Sequence, residues 1–593
     1  CPLRTAVLRN VTQTRYPTIL TVKDHTMNYT VLSPWAEVSS TQVCALNPRL
    51  DTLNGRTIGM FSHFKGHSPY ILREVEKEIL KKYPEARFSY LQYPKDTREI
   101  KDDAEFQPVF KAWLDGVDGV IAAYGDAGSC AMYHAFNTAY VERCGKPAVM
   151  LTKGDIFMSA QRGASARHVP HLRFVKCTLQ DLSFVPALDE ALINNTIRPA
   201  VVPVVDQLIE GLLRPLTEEE LATPEVTANQ YAHETFTGTL DEVNDHFYRR
   251  GWNNGLPIVP PTEEAVAEML TGTDYPRDHV VAELPPMLGK ATVEKIAVNA
   301  VMAGCLPTYL PVLIAAVKGM VDPVIHLVGW TCSVAGFAPI TMINGPIRRD
   351  IGLNCGNNLL SGYNKPNAAI ARALALITMN ISGCRPTLED NAYTGHEARF
   401  GVCFGEDEEN SPWKPFHTEF GMEENDSAVT LAWSHHRSFV IGGKTGPALL
   451  HAMLQVEDPG GFDPGCTYVI SPVWAKMLAD MGMSRRDVQT YIGEYARKAA
   501  GNSPLRWMRD NNHMPKDVPL PESDSSLYVR KFWTTEHLNI MVGGTTGGPR
   551  CCAFAGGGDH GGPSCTKIEL PKRWPELVKK YADMATAPDY IVY

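Results

Sequence analysis

The stretch AAYGDAGSCAMYHAFNTAYVERCGKPAVML, residues 122–151, decides the fold of the first part of this chain. It has the pattern of a buried strand's end, a tight turn, a helix over 130–143 and a second strand over 148–151. A strand, a helix and another strand in close succession predict a parallel sheet with helices packed against its faces. The turn in the middle is the kind of position at which such sheets bind ligands.

The segments on either side repeat this alternation. We predict further strands at 56–61, 87–91, 118–124 and 172–175, and further helices at 68–82, 106–114 and 156–164. In the first of these helices, the apolar residues Ile71, Val75 and Ile79 recur at helical spacing. The alternation predicts a doubly wound, flavodoxin-like or Rossmann-like α/β domain.

Chain length and the positions of glycine- and proline-rich segments divide the rest of the chain. At roughly 150 residues per domain, the 593 residues allow about four domains. We expect an N-terminal arm over 1–50, the α/β domain over 51–190, a helical connector over 191–250, and α/β lobes over 251–430 and 431–593. Apolar segments at 305–320 and 466–483, and strands at 338–343 and 538–542, are alike, which favours two similar lobes made by duplication.

Composition excludes several classes of partner. The formal net charge is −10 and no long basic run occurs, so we expect no nucleic-acid partner. No run of 18 apolar residues is present, so we expect no membrane partner. The 14 cysteines are scattered without a CxxC motif, which is typical of a reduced, cytoplasmic protein. We also expect a homo-oligomer.

The turn after the buried strand combines groups that could bind and activate a substrate. Gly125 and Gly128 would let a ligand approach the backbone, and a helix N-terminus favours an anion. A thiol at that position, Cys130, is expected to ionise more readily than an ordinary cysteine. Ser129 could donate a hydrogen bond, and Asp126 could orient or deprotonate a partner. A small buried cysteine with no chemistry fits the same pattern.

Residues 45–180 resemble the UGSC family, which is named for a Sec/Cys-Gly-Ser-Cys motif at this turn. The resemblance is carried by ALNPRLDTLNGRTIGMF (45–61), DGVIAAYGDAGSC (118–130), YVERCGKPAVMLT (140–152) and FMSAQRGAS (157–165). The family is distantly similar to selenoprotein subunits of glycine- and betaine-reductase systems, in which a selenolate or thiolate attacks a small substrate. The resemblance places Ala127 at the Sec/Cys position, where a methyl group can neither attack nor ionise.

A polar segment in the C-terminal half, 343–373, supplies candidate substrate-binding groups. Arginines that follow a strand suit carboxylate recognition, and amides can support it. The candidates are Asn344, Arg348, Arg349, Asn354 and Asn357. A hydrogen-bonded structural loop would explain the same residues. The segment and its neighbour 401–417 resemble a region often found with UGSC-type proteins, a resemblance that implies no particular function.

The acidic segment 401–417 is a second candidate site. Glu406 and Glu409, with His417 close in sequence, suit acid–base chemistry or a divalent metal, which is the one candidate cofactor. A solvated acidic loop is the alternative.

Three functions fit these patterns. The first is a cysteine-dependent enzyme, a lyase or an oxidoreductase, that cleaves or forms a carbon–heteroatom bond in a small anionic organic substrate. Cys130 would be its nucleophile, and Arg348 or Arg349 would hold the substrate carboxylate. The second is a metal-assisted hydrolase or lyase that uses 396–417. The third is a binding protein whose turn has lost its chemistry.

Overall fold

A computed structural model of the chain describes residues 27–95, 98–180, 182, 189–224, 228–441, 443–456, 465–499, 528–532, 535–556 and 562–584. Among the helices of these residues, none combines the length and apolar character that crossing a bilayer requires.

The N-terminal domain alternates strands and helices as predicted. Its elements are β1 (Tyr29–Leu32), β2 (Thr57–Ser62), α1 (Ser68–Lys82), β3 (Arg87–Gln92), α2 (Gln107–Asp115), β4 (Gly119–Gly125), α3 (Gly128–Arg143), β5 (Ala148–Lys153), α4 (Phe157–Ala166) and β6 (Arg173–Cys177). Strands β2 to β6 form one parallel sheet in the order β3-β2-β4-β5-β6. Flavodoxin-like sheets have this order, so the predicted doubly wound parallel sheet is confirmed.

The connector ties the N-terminal domain to the rest of the chain. It contains α5 (Glu190–Leu192), α6 (Arg198–Val201), α7 (Val205–Leu213), α8 (Glu218–Leu221), β7 (Thr235–Gly238) and α9 (Leu240–Arg249). Helix α7 packs on the parallel sheet through Leu208 and Leu212, while β7 pairs antiparallel with β1 of the arm. The predicted arm therefore contacts the connector, although its residues 1–26 lie outside the described part of the chain.

Apolar side chains fill both faces of the parallel sheet. Helices α1 and α7 cover one face, and Ile71, Val75 and Ile79 of α1 are completely buried there, as their spacing predicts. Helices α2, α3 and α4 cover the other face. Helix α3 is buried along most of its length, because α4 lies against it and Val328 and Cys332 of the C-terminal part also pack on it.

The described residues of the C-terminal part form two four-stranded sheets and two two-stranded sheets. Its elements are α10 (Glu263–Leu270), β8 (Val280–Leu284), β9 (Gly289–Thr292), α11 (Val293–Met302), α12 (Leu310–Met320), α13 (Leu327–Thr331), β10 (Ala338–Asn344), α14 (Ile347–Asp350), α15 (Lys365–Asn380), β11 (Val402–Gly405), β12 (Ala428–Ser434), β13 (His436–Val440), α16 (Gly446–Leu454), β14 (Cys466–Ile470), α17 (Pro472–Ala479), α18 (Arg485–Tyr495), β15 (Arg497–Ala499), β16 (Tyr528–Arg530), β17 (Leu538–Val542), β18 (Cys551–Ala555), β19 (Ser564–Lys567) and α19 (Trp574–Tyr581).

The two four-stranded sheets share one topology. Their orders are β11-β10-β12-β19 and β17-β14-β18-β13. In each, the first pair of strands is parallel and the next two pairs are antiparallel. By their positions in the two sheets, β10 corresponds to β14 and β11 to β17. The likeness in sequence predicts a different correspondence, of β10 with β17. Strand β19, from the predicted second lobe, lies in the first sheet, and the predicted boundary between residues 430 and 431 falls inside β12.

The two four-stranded sheets pack against each other through apolar side chains. Ile340 and Phe404 of the first sheet share one buried cluster with Val469 and Met541 of the second. This contact makes the two sheets a single layered body, in which the ends of β11 and β17 lie close together.

Candidate functional site

The parallel sheet has its switch point between β2 and β4. Strand β3 lies on the far side of β2, and β5 lies on the far side of β4, so the strand order reverses between these two strands. Open α/β sheets bind ligands outside the carboxyl ends of the strands at such a point. The loop 63–67 follows β2, and α1 and α3 both begin at this edge without a side-chain cap.

Asp126 is completely buried at this edge and is surrounded by side chains of the 63–67 loop. Its carboxylate oxygens lie 2.8 Å from Lys65 Nζ, 2.9 Å from His67 Nε2 and 3.8 Å from His63 Nε2. Burial alone would raise the pKa of Asp126, but Lys65 and His67 hold that pKa well below its usual range. Asp126 is therefore an ionised carboxylate inside the protein.

His67 combines a carboxylate partner with an unused ring nitrogen. The side chain is 1% exposed, and burial lowers its pKa although Asp126 opposes that shift. The Nε2 atom of the neutral ring lies 2.9 Å from a carboxylate oxygen of Asp126, outside the geometry of a hydrogen bond, and Nδ1 has no hydrogen-bond partner among the described residues. A carboxylate that holds one nitrogen of a neutral imidazole leaves the other nitrogen able to accept a proton.

Helix α3 links Cys130 to these histidines. Cys130 is half-buried in the first turn, and His134 follows one turn later on the same helix face. The ring of His134 lies 5.1 Å from that of His63 and 5.2 Å from that of Phe61, measured between centroids. Burial lowers the pKa of His134 well below its usual value, and within the described chain neither of its ring nitrogens has a partner.

We call Asp126, Lys65 and the three histidines the switch-point cluster. His63, His67, His134 and Lys65 are not among the site residues that the sequence predicts. The segment HFKGHS, residues 63–68, follows β2 as GDAGSC follows β4. In a doubly wound sheet the loops after the two strands at the switch point meet, so this pairing is the signal that could have found them.

The predicted turn residues lie at the start of α3. Gly125 ends β4, Ala127 is the residue that precedes the helix, and Ser129 and Cys130 stand in its first turn. A Cβ on Gly128 would lie 2.0 Å from the carbonyl oxygen of Cys332. The lack of a side chain at Gly128 therefore lets the backbone of Cys332 approach the start of α3 closely.

The C-terminal part covers this edge of the sheet. Asn391 Nδ2 donates hydrogen bonds to Ser159 Oγ, at 3.0 Å, and to the carbonyl oxygen of Cys332, at 3.3 Å. Lys153, at the end of β5, donates to the hydroxyl of Tyr393 at 3.1 Å. A cavity of about 720 Å³ lies between the beginning of α4 and the segment 386–399.

A model of the UGSC family matches residues 30–187. The N-terminal domain belongs to the UGSC family. The matched residues include all five strands of the parallel sheet, the 63–67 loop and the start of α3, so the switch-point cluster lies inside the UGSC domain. Among curated proteins, none matches this chain.

The other predicted binding residues lie outside the UGSC domain, at the junction of the two four-stranded sheets. Arg348 is 3% exposed in its side chain and is paired with Glu408 and Glu409. Its guanidinium also donates to the backbone carbonyl oxygen of Glu406. The chain's own carboxylates therefore bind the guanidinium of Arg348, which the sequence predicts as a group that holds the substrate carboxylate.

Glu406 is completely buried at the same junction. It accepts hydrogen bonds from Arg485 at 2.7 Å, from Asn344 at 2.6 Å and from the backbone N–H of Phe416 at 2.6 Å. Burial raises the pKa of Glu406, and Arg485 opposes that shift. These contacts join the end of β11 to the first residue of α18.

The remaining candidates also have partners within the chain. Arg349 is exposed and pairs with Glu409, while Asn354 Nδ2 donates to the carbonyl oxygen of Asn357 at 2.8 Å. His417 Nε2 lies 2.9 Å from the carbonyl oxygen of Glu423. In the described part of the chain, no group of three or more His, Cys, Asp or Glu side chains is arranged to hold a metal ion.

Proposed function

We propose that the UGSC domain is the catalytic part of a cysteine-dependent enzyme that cleaves a carbon–heteroatom bond in a small anionic substrate. One observation carries the proposal: Cys130 stands in the first turn of α3, one turn before His134, at the edge where the His67–Asp126 pair lies. The uncapped N-termini of α1 and α3 favour an anion at this edge.

Cys130 is the nucleophile in this proposal. Nδ1 of His67 takes the thiol proton of Cys130, and the thiolate attacks a carbonyl carbon, so that a carbon–sulfur bond forms and the carbon–heteroatom bond breaks. The heteroatom leaves with the bonding electron pair and takes a proton from His67. Water, deprotonated by Nδ1 of His67, then attacks the same carbon and releases the thiolate. The net reaction is hydrolysis, without electron transfer, and it needs only one sulfur, which is compatible with Ala127.

Asp126 is a positioning residue in this scheme, because its contacts are with His67 and Lys65. It fixes the ring orientation of His67 and balances the charge of Lys65. The cytoplasmic location and the homo-oligomeric state inferred from the sequence remain predictions that accompany this proposal.

The test uses 4-nitrophenyl hydrogen succinate, a small ester that carries a carboxylate. We expect the wild-type protein to release nitrophenolate and to show a transient acyl adduct on the peptide that contains Cys130, detected by mass spectrometry. Cys144→Ser is the matched control, since Cys144 is the half-buried thiol at the other end of α3. It should behave like the wild type, whereas Cys130→Ser should lose both signals. Equal turnover by Cys130→Ser would refute the proposal.

A further inference from the structure

Two buried cysteines of the C-terminal part lie in contact beside α3. Cys332 follows the last residue of α13, Cys384 follows α15, and their sulfur atoms are 4.0 Å apart. Both thiols are free, and both residues share a buried cluster with Met132 and Phe136 of α3. A disulfide bond holds its two sulfur atoms about 2 Å apart, so only a short movement of the two side chains separates this pair from a bonded one.

A second cavity, of about 680 Å³, leads to one member of this pair. Cys384 lines its wall, whereas Cys332 does not. Large apolar side chains form much of the same wall, among them Phe337, Met379 and Trp433. The volume is within the range of sites that hold small organic molecules. A small uncharged reagent that enters this cavity therefore meets Cys384 first, and Cys332 only through Cys384.

The surroundings of Cys384 decide how readily its thiol ionises. Burial raises the pKa of Cys384 well above its ordinary value, and the neighbouring Cys332 adds to that shift. The guanidinium of Arg399 opposes the rise in this pKa, while Glu389 contributes to it. The thiolate is the nucleophile in thiol–disulfide exchange, so we expect the first attack by Cys384 to become faster as the pH rises. The second attack, by a thiol already in contact, is intramolecular and therefore faster than the first.

We propose that Cys332 and Cys384 form a redox site that low-molecular-weight disulfides oxidise through this cavity. The thiolate of Cys384 attacks one sulfur of the incoming disulfide, so that a mixed disulfide forms and the first small thiol leaves. Cys332 then attacks Sγ of Cys384, which forms the bond between the two cysteines and releases the second small thiol. The protein loses two electrons and two protons, and the small disulfide gains them. This exchange does not depend on the reaction proposed for Cys130.

Incubation of the full chain with dithiodipyridine, an uncharged aromatic disulfide, at pH 8 tests this site. Peptide mass spectrometry should find a disulfide between Cys332 and Cys384 in the wild type, and dithiothreitol should restore both thiols. Cys332→Ala should instead keep a mixed disulfide of pyridinethiol on Cys384, because the second attacking thiol is missing. Cys403 is also buried but does not line the cavity, so it should stay unmodified over the same time. Cys130→Ser should form the disulfide as the wild type does.

Two variants of α15 test the route through the cavity. Ala375 lines the cavity, whereas Ala368, two turns earlier and also half-buried, does not. Ala375→Phe fills part of the space and should slow the formation of the disulfide by at least about tenfold, because thiol exchange depends on access to the sulfur. Ala368→Phe should leave the rate unchanged. Thermal unfolding of both variants checks that they are folded.

Four results would each overturn the proposal. They are the absence of the disulfide in the wild type, the absence of a mixed disulfide on Cys384 in Cys332→Ala, modification of Cys403 as fast as that of Cys384, and the wild-type rate in a folded Ala375→Phe. Equal modification of Cys403 would mean that the reagent reaches buried thiols by unfolding of the chain rather than through the cavity.

Discussion

Single residues of the switch-point cluster show how burial and pairing decide charge. Asp126 stays ionised although it is completely buried, because Lys65 and His67 contact its two oxygens. His67 and His134 are driven towards the neutral form by burial. The cluster thus holds one internal ion pair beside neutral imidazoles, which is a composition suited to moving protons.

The neutral state of His134 predicts a loss of stability in acid. Its pKa is lowered in the folded protein, so below pH 6.5 the unfolded chain binds a proton that the folded chain does not. For one such group, the free energy of unfolding falls by about 2 kcal/mol between pH 8 and pH 5. His134→Phe should remove this part of the pH dependence, as measured by urea unfolding at both values.

The exposed His233 provides the control for this measurement. His233→Gln should keep the wild-type difference between pH 8 and pH 5. An unchanged difference in His134→Phe would contradict a neutral, buried His134.

The sequence predicts part of this site. Cys130, Ser129 and Asp126 lie at the predicted turn because the rule for parallel sheets depends only on where a strand ends and a helix begins. The partners of Asp126 come from a loop about sixty residues earlier in the chain. Which loops meet depends on the strand order, and a single sequence does not reveal that order.

Whole elements were easier to predict than their arrangement. The predicted strands and helices of the UGSC domain agree with β2 to β6 and α1 to α4 within about two residues at each end, because apolar runs or apolar periods separated by turn residues mark them. The position of β19 in the first four-stranded sheet leaves no such mark. This strand is short, and it pairs with β12, which is distant in sequence.

The junction between β11 and α18 gives a prediction at the level of elements. Arg485→Met removes the cation from the buried Glu406, which should cost about 3–5 kcal/mol of unfolding free energy at pH 8. Because the pKa of Glu406 is already raised, and rises further without Arg485, the cost should be smaller at pH 5, where a larger fraction of the carboxyl is protonated. Chemical unfolding at the two pH values measures both quantities.

The neighbouring arginine supplies the comparison. Arg486 is exposed on the same helix turn, so Arg486→Met should change stability by no more than about 0.5 kcal/mol. If Arg485→Met were equally mild at pH 8, the ion pair with Glu406 would not be holding β11 to α18.

At the scale of the whole molecule, the C-terminal part completes the edge of the UGSC sheet. Arg167 of the UGSC domain donates to the carbonyl oxygen of Pro286 at 3.1 Å. Asn391 of the C-terminal part donates to Ser159 of the UGSC domain. The backbone of Cys332 lies directly on the start of α3. The UGSC domain therefore does not present its switch point to solvent as an isolated domain would.

This close contact predicts the effect of one added methyl group. Gly128→Ala would place a Cβ against the carbonyl oxygen of Cys332, which cannot move without its chain, and should destabilise the protein by about 1–3 kcal/mol. Gly154→Ala, at the end of β5 along the same edge, meets its nearest atom at 3.7 Å and should be neutral. Thermal unfolding compares the two; equal stability would mean that the two parts do not pack as described.

The most direct test of the central claim, that the start of α3 is a reactive site, is the pH dependence of cysteine alkylation. Cys130 and Cys144 are half-buried at opposite ends of α3, and burial raises the pKa of Cys144. Peptide mass spectrometry after iodoacetamide treatment should show Cys130 reacting at least about tenfold faster at pH 7, with its half-maximal rate below pH ~8.5. Equal rates, or faster modification of Cys144, would contradict the account.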